Sequence, residues 1–563
     1  MAKQLLSASL TAPGFKGLNT EDPYTLDPEF AVKAENCVID QRGRLVSRKG
    51  WRARSLNQVP LTGVTRFEDI KGVSKLISWN NDGVTTQFYR SVDLVAITPY
   101  SSDPEYVVPA ADWVGVTLND HLYLYSKGNE PLVFSTDVSH APADDPNVPN
   151  GFTFATFSDH LNSHNTVNTA IPKAGIALSA YGRVWVADTN ENSTVLYFSS
   201  LLDGADFGDG VVEDADLTGR VATNVSTAGL FNISALFTDG TDRITGLGAI
   251  NGYLAIFCED SIVLLGDNDP DNNALTLNPA TMKIVEVIKG VGCIATKSIQ
   301  NIGNDILFLS KSGVQSLGRT IQEKSQPLIS VSQNVKNDLT TDLTLENELS
   351  KVTSVYSEAD TAYILQLPKA NRAYVFDTRS YLDTGALRVT RWKDLGTTQF
   401  IVVPESAESP NTQLLRTTVI GLVEYTGHDD LGVPVPVAYH SPYLDYGLPN
   451  TSKLIKKLGT TFTGGNNQEL LVTASADFSD VDVYPSTVFS IDLGDVSLFN
   501  TDAAFFDPDG TGARFGIGSG SSRQLVSYGG TAELIQLRCS AEVSQGPLAI
   551  QRFDVYFKEG KQV

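Results

Sequence analysis

The stretch Ile244-Thr-Gly-Leu-Gly-Ala-Ile-Asn-Gly-Tyr-Leu-Ala-Ile-Phe-Cys-Glu-Asp-Ser-Ile-Val-Leu-Leu265 holds an apolar lead-in, a polar turn at Asn251-Gly252, a β-rich run, a second polar turn and another β-rich run. β-Branched and aromatic runs bounded by Asn, Asp and Gly favour short antiparallel strands joined by tight turns. The phrase recurs as Trp113–Leu118, Asn119-Asp120, Leu122–Tyr125 and Leu132–Phe134, and again as Gly175–Leu178, Tyr181-Gly182, Val184–Val186 and Val195–Phe198. Another copy reads Ile294–Ile299, Gly303-Asn304, Ile306–Leu309 and Val314–Leu317; a looser one reads Val352–Tyr356, Tyr363–Leu367 and Ala373–Phe376. One such sheet cannot bury both its faces, whereas copies stacked around an axis can, so the repeat predicts a β-propeller. The strong runs beginning at Leu122, Val184, Leu254, Ile306 and Tyr363 are spaced by 62, 70, 52 and 57 residues. A WD40 array repeats every 40–45 or so, so a divergent propeller with loop insertions is expected, with about six blades and five or seven as alternatives.

The expected organisation has three parts. Residues 1–61 read as an N-terminal extended arm. Pro13, Pro23 and Pro28 break regular structure, Asp27-Pro28 starts one or two helical turns, and Cys37–Ser47 forms a hairpin turning at Arg42-Gly43. Residues 62–434 read as the propeller, with polar inserts at 135–150, 203–224 and 267–278. Val331, Val335 and Leu339 recur at four-residue spacing and predict one short amphipathic helix. Residues 435–563 read as a C-terminal β-sandwich, because strand-like runs follow with few helical patterns between them; the last alternates as Ile550, Phe553, Val555 and Phe557. Gly510–Ser522 is Gly/Ser-rich and reads as an exposed loop.

The chain of 563 residues is acidic, with 65 acids against 42 bases and a formal charge of −23. That balance disfavours general nucleic-acid binding, which runs on clustered Lys and Arg. No run of about 18 apolar residues is present, so no segment is expected to span a membrane, and the N-terminus lacks the apolar core of a signal peptide. The four cysteines, Cys37, Cys258, Cys293 and Cys539, lack metal-type spacing and read as buried free thiols made in a reducing compartment.

No complete catalytic constellation, cofactor motif or metal site is expected. Asp383-Thr-Gly385 matches the aspartic-protease tripeptide but has no second copy to share a proton, and reads as a turn. His160 and His164 have the i, i+4 spacing of zinc helices without a base or third ligand. Asp267, Asp269 and Asp271, and more weakly the loop from Asp507, alternate oxygen-bearing side chains as calcium loops do, but without a closing Glu, and read first as polar turns. Ser78-Trp-Asn-Asn-Asp-Gly83, faintly like a sialidase Asp-box, reads as a turn. The conspicuous cluster is basic: Arg42, Arg44, Arg48, Lys49, Arg52 and Arg54. Arginine's planar fork suits carboxylates, so these side chains are expected to pair with acids on the same or a neighbouring subunit, ahead of nucleic-acid contact or a solvated face. Arg42, Arg44, Arg48, Arg52 and Arg54 are the subunit-interface candidates.

Gly17-Leu-Asn-Thr-Glu-Asp22, Ala34-Glu-Asn36 and Gly43-Arg-Leu-Val-Ser-Arg-Lys-Gly50 resemble the opening of tail proteins of short-tailed bacteriophages. Val195-Leu-Tyr-Phe-Ser199 with Asp203 and Phe207, Ile244-Thr-Gly-Leu247 with Ser261-Ile-Val-Leu264, Gly292-Cys293, Ser298-Ile299, Ile306–Gly313, Val375-Phe-Asp377 and Arg391-Trp392 continue the likeness. Ser441-Pro-Tyr-Leu-Asp-Tyr-Gly447 and Lys456-Lys457 resemble that group's C-terminal module. Taken together the chain is similar to the tail nozzle, or head-to-tail hub, family. The resemblance implies a non-enzymatic virion protein of the phage tail, assembled in the host cytoplasm as a homo-oligomeric ring, typically a hexamer. Such a ring meets portal and adaptor proteins and tail fibre or spike proteins, and extends the channel through which double-stranded DNA leaves without specific binding. Acids lining that lumen would keep phosphates from adhering. The competing expectations are a propeller-based tail enzyme and a receptor-binding module, acting on host surface polysaccharide.

Overall fold

Seven antiparallel blades of three or four strands are present among the described residues, and blades 6 and 7 are joined through sandwich strands into one 14-stranded hydrogen-bonded sheet. Blade 1 comprises Gly63–Glu68, Ser74–Asn81, Thr86–Arg90 and Val95–Ile97; blade 2 comprises Val114–Leu118, His121–Tyr125, Leu132–Ser135 and Thr153–Thr156. Blade 3 is Ala174–Ala180, Arg183–Thr189, Val195–Phe198 and Gly229–Asn232; blade 4 is Ile244–Ile250, Tyr253–Cys258, Ser261–Asp267 and Met282–Lys289. Blade 5 has three strands, Gln300–Asn301, Ile306–Ser310 and Gly313–Ser316, and blade 6 has Thr353–Ser357, Ala362–Leu367, Arg372–Tyr381 and Leu387–Lys393. Blade 7 is Phe400–Pro404, Thr412–Thr418 and Gly421–Tyr425, completed by Trp51–Ala53 from the other end of the chain. The first strands adjoin in cyclic order and Phe400–Pro404 returns to Gly63–Glu68, so the ring closes. The computed structural model describes the chain except for residues 1–3, 22–25, 41, 56–57, 69–71, 73, 91–93, 104, 136–152, 164–170, 209–227, 238–241, 268–276, 278–281, 326–329, 397–398, 406–410, 465–467, 478–486, 492–519, 545 and 563.

The fold is therefore a β-propeller, and the expected count of about six blades becomes seven. Each interblade layer is apolar. Phe67, Trp79, Phe88, Trp113, Leu122, Phe134 and Phe154 fill the space between blades 1 and 2, where Phe88 meets Trp113 and Phe154 edge-on at 5.7 and 5.5 Å. Leu61, just before blade 1, and Val64 and Leu76 of blade 1 meet Val403, Leu415 and Leu422 of blade 7 and seal the ring.

The C-terminal unit is a sandwich of two sheets over one core. The first sheet runs Gly520–Ala532, Thr451–Gly464, Ala549–Gln562, Leu45–Ser47, Cys37–Ile39, with Leu6–Thr11 also paired to Ala549–Gln562. The second runs Thr487–Ile491, Gln468–Ala476, Ile535–Val543, Val433–His440, Lys33–Glu35. Ile550, Phe553, Val555 and Phe557 all point into the core, as their alternation predicts.

The N-terminal residues are not a separate arm. Leu6–Thr11, Lys33–Glu35, Cys37–Ile39 and Leu45–Ser47 are sandwich strands, and Trp51–Ala53 is a propeller strand. Leu10, Ala31, Ala34, Cys37, Ile39 and Leu45 sit in the sandwich core. A turn at Asp27–Phe30, with the Phe30 N–H donating to the Asp27 carbonyl at 3.0 Å, replaces the expected helical turns and feeds the strand Phe30–Ala31. The hairpin at Gly43 is present, with φ +75° there. Val331, Val335 and Leu339 are all buried, but the α-helix starts five residues after Val331, at Lys336–Leu345, behind a 3-10 turn at Gln333–Val335.

Candidate functional site at the joint of propeller and sandwich

Lys33–Glu35 pairs on one side with His440–Ala438 of the sandwich and on the other with Arg391 of blade 6. The next strand, Cys37–Ile39, belongs to the opposite sandwich sheet, so the chain must kink between them. Asn36 makes the kink at φ +53°, a left-handed conformation that Asn tolerates better than other side-chain-bearing residues. Its amide bonds at both ends. Asn36 Nδ2 donates to the Pro436 carbonyl at 2.8 Å, and Asn36 Oδ1 accepts from Lys393 N at 3.0 Å and from Arg48 Nε at 3.1 Å. Its N–H donates to the Arg391 carbonyl at 2.7 Å.

Arg48 is the hub. It is wholly buried, grips Asp430 with both terminal nitrogens (2.9 and 2.5 Å), donates to the Lys49 carbonyl at 2.9 Å and lies over Trp392 at 5.9 Å. Such a bidentate contact fixes orientation as well as distance. Gly50 follows because nothing larger fits: a Cβ there would stand 2.0 Å from the Asp429 carbonyl oxygen. Beside the hub, Glu35 meets Lys393 at 2.6 Å and Lys33 and Arg391 at 3.4 Å. Burial pushes its carboxyl pKa up, but the Lys393 hydrogen bond and the three cations outweigh that and hold it below the usual range. Arg391 continues to Asp338 on the helix, and buried Asp342 accepts from Arg372 at 2.9 Å and from the Tyr374 hydroxyl at 2.7 Å.

The five interface candidates thus have different fates. Arg48 cannot reach a neighbouring subunit, and its assignment to an interface is corrected: it binds propeller to sandwich within one chain. Arg44 pairs with Asp40 at 2.7 Å, and Arg54 donates to Gln413 at 2.6 Å beside Glu424. Arg42 is exposed at the hairpin turn, and Arg52 is exposed 4.0 Å from Asp429. The sequence signal that marked this region was right in kind, since most of these bases meet carboxylates, but it could not show that the acid gripped by Arg48 lies 382 residues away on the same chain. Asn36, the centre of the joint, gave no chemical signal beyond its place in the family-like phrase.

The other candidates behave as turns or core. Asp383–Gly385 forms a tight turn closed by Gly385 N–H to the Leu382 carbonyl at 2.7 Å. Asp82 accepts from Val84 and Thr85 N–H at 2.8 and 2.7 Å, which lowers its pKa. His160 lies in the helix Phe157–Ser163, its ring 5.4 Å from His121; His164, Asp269, Asp271 and Asp507 lie outside the described residues. Asp267 ends a strand of blade 4, and no group of metal-ligating side chains forms among the described residues. All four cysteines are buried free thiols, and burial pushes each thiol pKa up, Cys293 to about 11. Among the described residues no helix is long and apolar enough to cross a membrane.

One mouth of the propeller channel forms a cavity of about 540 Å³, lined by Asn81, Asp82, Asp112, Lys297, Lys351 and Gln399 among others. Lys351 bonds Glu348 at 2.6 Å, which raises its pKa, and Asp112 across the mouth adds to the shift. Asp82 and Asp112 are the carboxylates available there. Asp82 is anchored by its own turn in the ionised form, which suits a turn-former and not a general acid.

No family model matches the chain, and no curated protein matches it. Among solved structures it is similar to YCF48 bound to D1 peptide (9% identity, TM-score 0.33, covering 68% of this chain and 98% of that one). It is also similar to the Neurospora crassa Pan2 WD40 domain (10%, TM-score 0.31, 68% and 98%) and to PorZ of Porphyromonas gingivalis (12%, TM-score 0.30, 72% and 44%).

Proposed function

We propose that this chain is a structural ring subunit of a short-tailed phage tail, of the nozzle or hub kind, that extends the DNA exit channel below the portal and adaptor. One observation carries the reading: many of the family-like phrases converge on the joint. Gly17 packs against the Val389 backbone, Ala34-Glu-Asn36 forms the kink, Arg48 and Gly50 lock onto 429–430, and Trp392 donates to the Cys37 carbonyl at 3.1 Å. Ser441, from the closing phrase, accepts from Leu537 N–H at 2.9 Å within the sandwich. Residues so placed hold two units against each other, which is what a conduit wall under load requires. The test is the mass of the purified protein in solution with images of the particle. A closed ring, six-fold in the expected case, supports the proposal; a monomer at every concentration tried overturns it. The rival reading, a polysaccharide-acting enzyme, is favoured only by the Asp82–Asp112 cavity, and cleavage of host polysaccharide by the purified protein would establish it.

A further inference from the structure

The two sheets of the sandwich share one core, so their outer faces look in opposite directions. Register places their side chains. On the first sheet, Gly459 lies between Asp554 and Leu525, Thr461 between Arg552 and Arg523, and Lys457 between Tyr556 and Ser527. Phe553, Val555 and Phe557 point inward, so Arg552, Asp554, Tyr556 and Lys558 point outward. A Cβ on Gly459 would touch Leu525 and Asp554, which confirms the side. Asp554, the carboxylate in these rows, is spent: it accepts from Arg552 at 2.5 Å and meets Arg523 at 3.3 Å. Burial pushes its pKa up, but the bonds from Ser9 and Arg552 outweigh this and hold it low. Lys456 and Lys457 are exposed at the bulge, Arg523 is 66% exposed, and Leu525 is 50% exposed between them. In a chain of charge −23 this face is basic with an apolar centre.

The groove on the second sheet's outer face is the reverse, although the neighbouring row of Lys33, His440 and Arg538 on that face is basic. Glu35, Ala438, Ser540, Leu471 and Val488 form one row across five strands, about 20 Å wide at normal strand spacing. With Pro434, Pro436 and Asp394 they line a groove of about 750 Å³ against the propeller. Its exposed charges are Asp394, Glu469 and Glu542; its cation, Lys393, is held by Glu35. Val488, 53% exposed, and Leu471 supply the apolar floor.

We infer that the acidic groove of one copy receives the basic face of a second copy of this chain. Opposite charge, matched apolar centres and opposite placement on one rigid sandwich make the contact head-to-tail, the kind that repeats from copy to copy and closes when the rotation per step allows. The inference rests on the ring reading above and names the surfaces that build it; the arginines of the joint are not needed. Two variants test it, Glu469→Lys with Glu542→Lys, and Lys456→Glu with Lys457→Glu, each checked for native circular dichroism and weighed by native mass spectrometry at low and high salt. Each alone should need at least tenfold more protein to assemble, because like charges then meet. Mixed one to one they should assemble again, as alternating copies, since each reversed surface finds its opposite. Wild-type assembly that neither variant weakens overturns this inference and leaves the ring reading standing. Wild-type protein that is monomeric throughout overturns both. Should a reversed variant unfold, the neutral pair of Gln variants, measured identically, decides in the same way.

Discussion

Replacing Arg48 with Met tests whether the joint is held as described. The substitution keeps much of the side-chain volume and removes the fork that grips Asp430, the bond to Asn36 Oδ1 and the bond to the Lys49 carbonyl. Breaking a buried ion pair by removing one partner costs about 3–5 kcal/mol, because the survivor is left uncompensated. Asp430 keeps 23% of its side chain exposed and can be rehydrated, so the lower end, about 3 kcal/mol, is expected. Arg48→Lys keeps the charge without the fork and should cost about 1–2 kcal/mol. Removing both partners, as Arg48→Met with Asp430→Leu, should recover about 2 kcal/mol of the loss. The assay is urea unfolding followed by tryptophan fluorescence, since Trp392 lies beneath the guanidinium and Trp51 pairs with Asp430. An Arg48→Met protein that unfolds at the wild-type urea concentration would refute the argument, as would a double variant no more stable than the single.

Further consequences follow from particular residues. Gly50→Ala should destabilise by at least about 2 kcal/mol, since the Asp429 backbone cannot yield, whereas Gly432→Ala, at φ +88° with nothing within 4 Å, should cost only about 1 kcal/mol of strain; comparative unfolding reads both. Asp554, with its pKa held low, contributes stability that is present above the ordinary carboxylate pKa and is lost as pH falls through its folded value. Unfolding free energy measured from neutral to acid pH should therefore fall less steeply in Asp554→Asn. Cys293, with its thiol pKa raised to about 11, and the three other buried cysteines should resist a thiol reagent at pH 8 until denaturant is added; rapid labelling of the native protein would contradict the burial.

The propeller was legible because each of blades 2 to 6 is written locally: lead-in, turn, strand, turn, strand, with φ-positive Asn119, Asp120, Tyr181, Asn251 and Gly252 at the tips. Blades 1 and 7 were not, for opposite reasons. Blade 1 fills its core with Phe67, Trp79 and Phe88 but lacks the repeated phrase, and blade 7 takes its fourth strand from Trp51–Ala53, far outside any local period. The sandwich was legible in Ile550–Phe557, where one face is wet and the other dry. What no local pattern could reveal was that Leu6–Thr11 and Cys37–Ser47 complete it, because short strands of mixed polarity read as a broken arm until their partners are known. The same non-locality hid the site: Arg48 stood out only as one of a basic cluster and Asp430 looks like an ordinary surface charge, and only the closed fold sets the one against the other.

The position of the charges bears on the proposal that these chains form a conduit for DNA. The first strands of the blades, which border the propeller's own channel, carry as described charges only Arg66 and Glu68. The mouth mixes Asp82 and Asp112 with Lys297 and Lys351 in a space of about 540 Å³, the size that suits a small molecule. A wall of that kind neither repels phosphates nor admits a duplex. If DNA passes through an assembly of these chains, as proposed, it passes between copies, and only acids on faces turned toward it in that assembly would repel it. Repulsion across water is screened within about 8 Å at physiological salt, so only those nearest the duplex act on it. Reversing Asp82 and Asp112 to Lys should therefore leave genome release from assembled particles unchanged. Release that slows in that variant would place the duplex at the propeller mouth and overturn the argument that it runs between subunits.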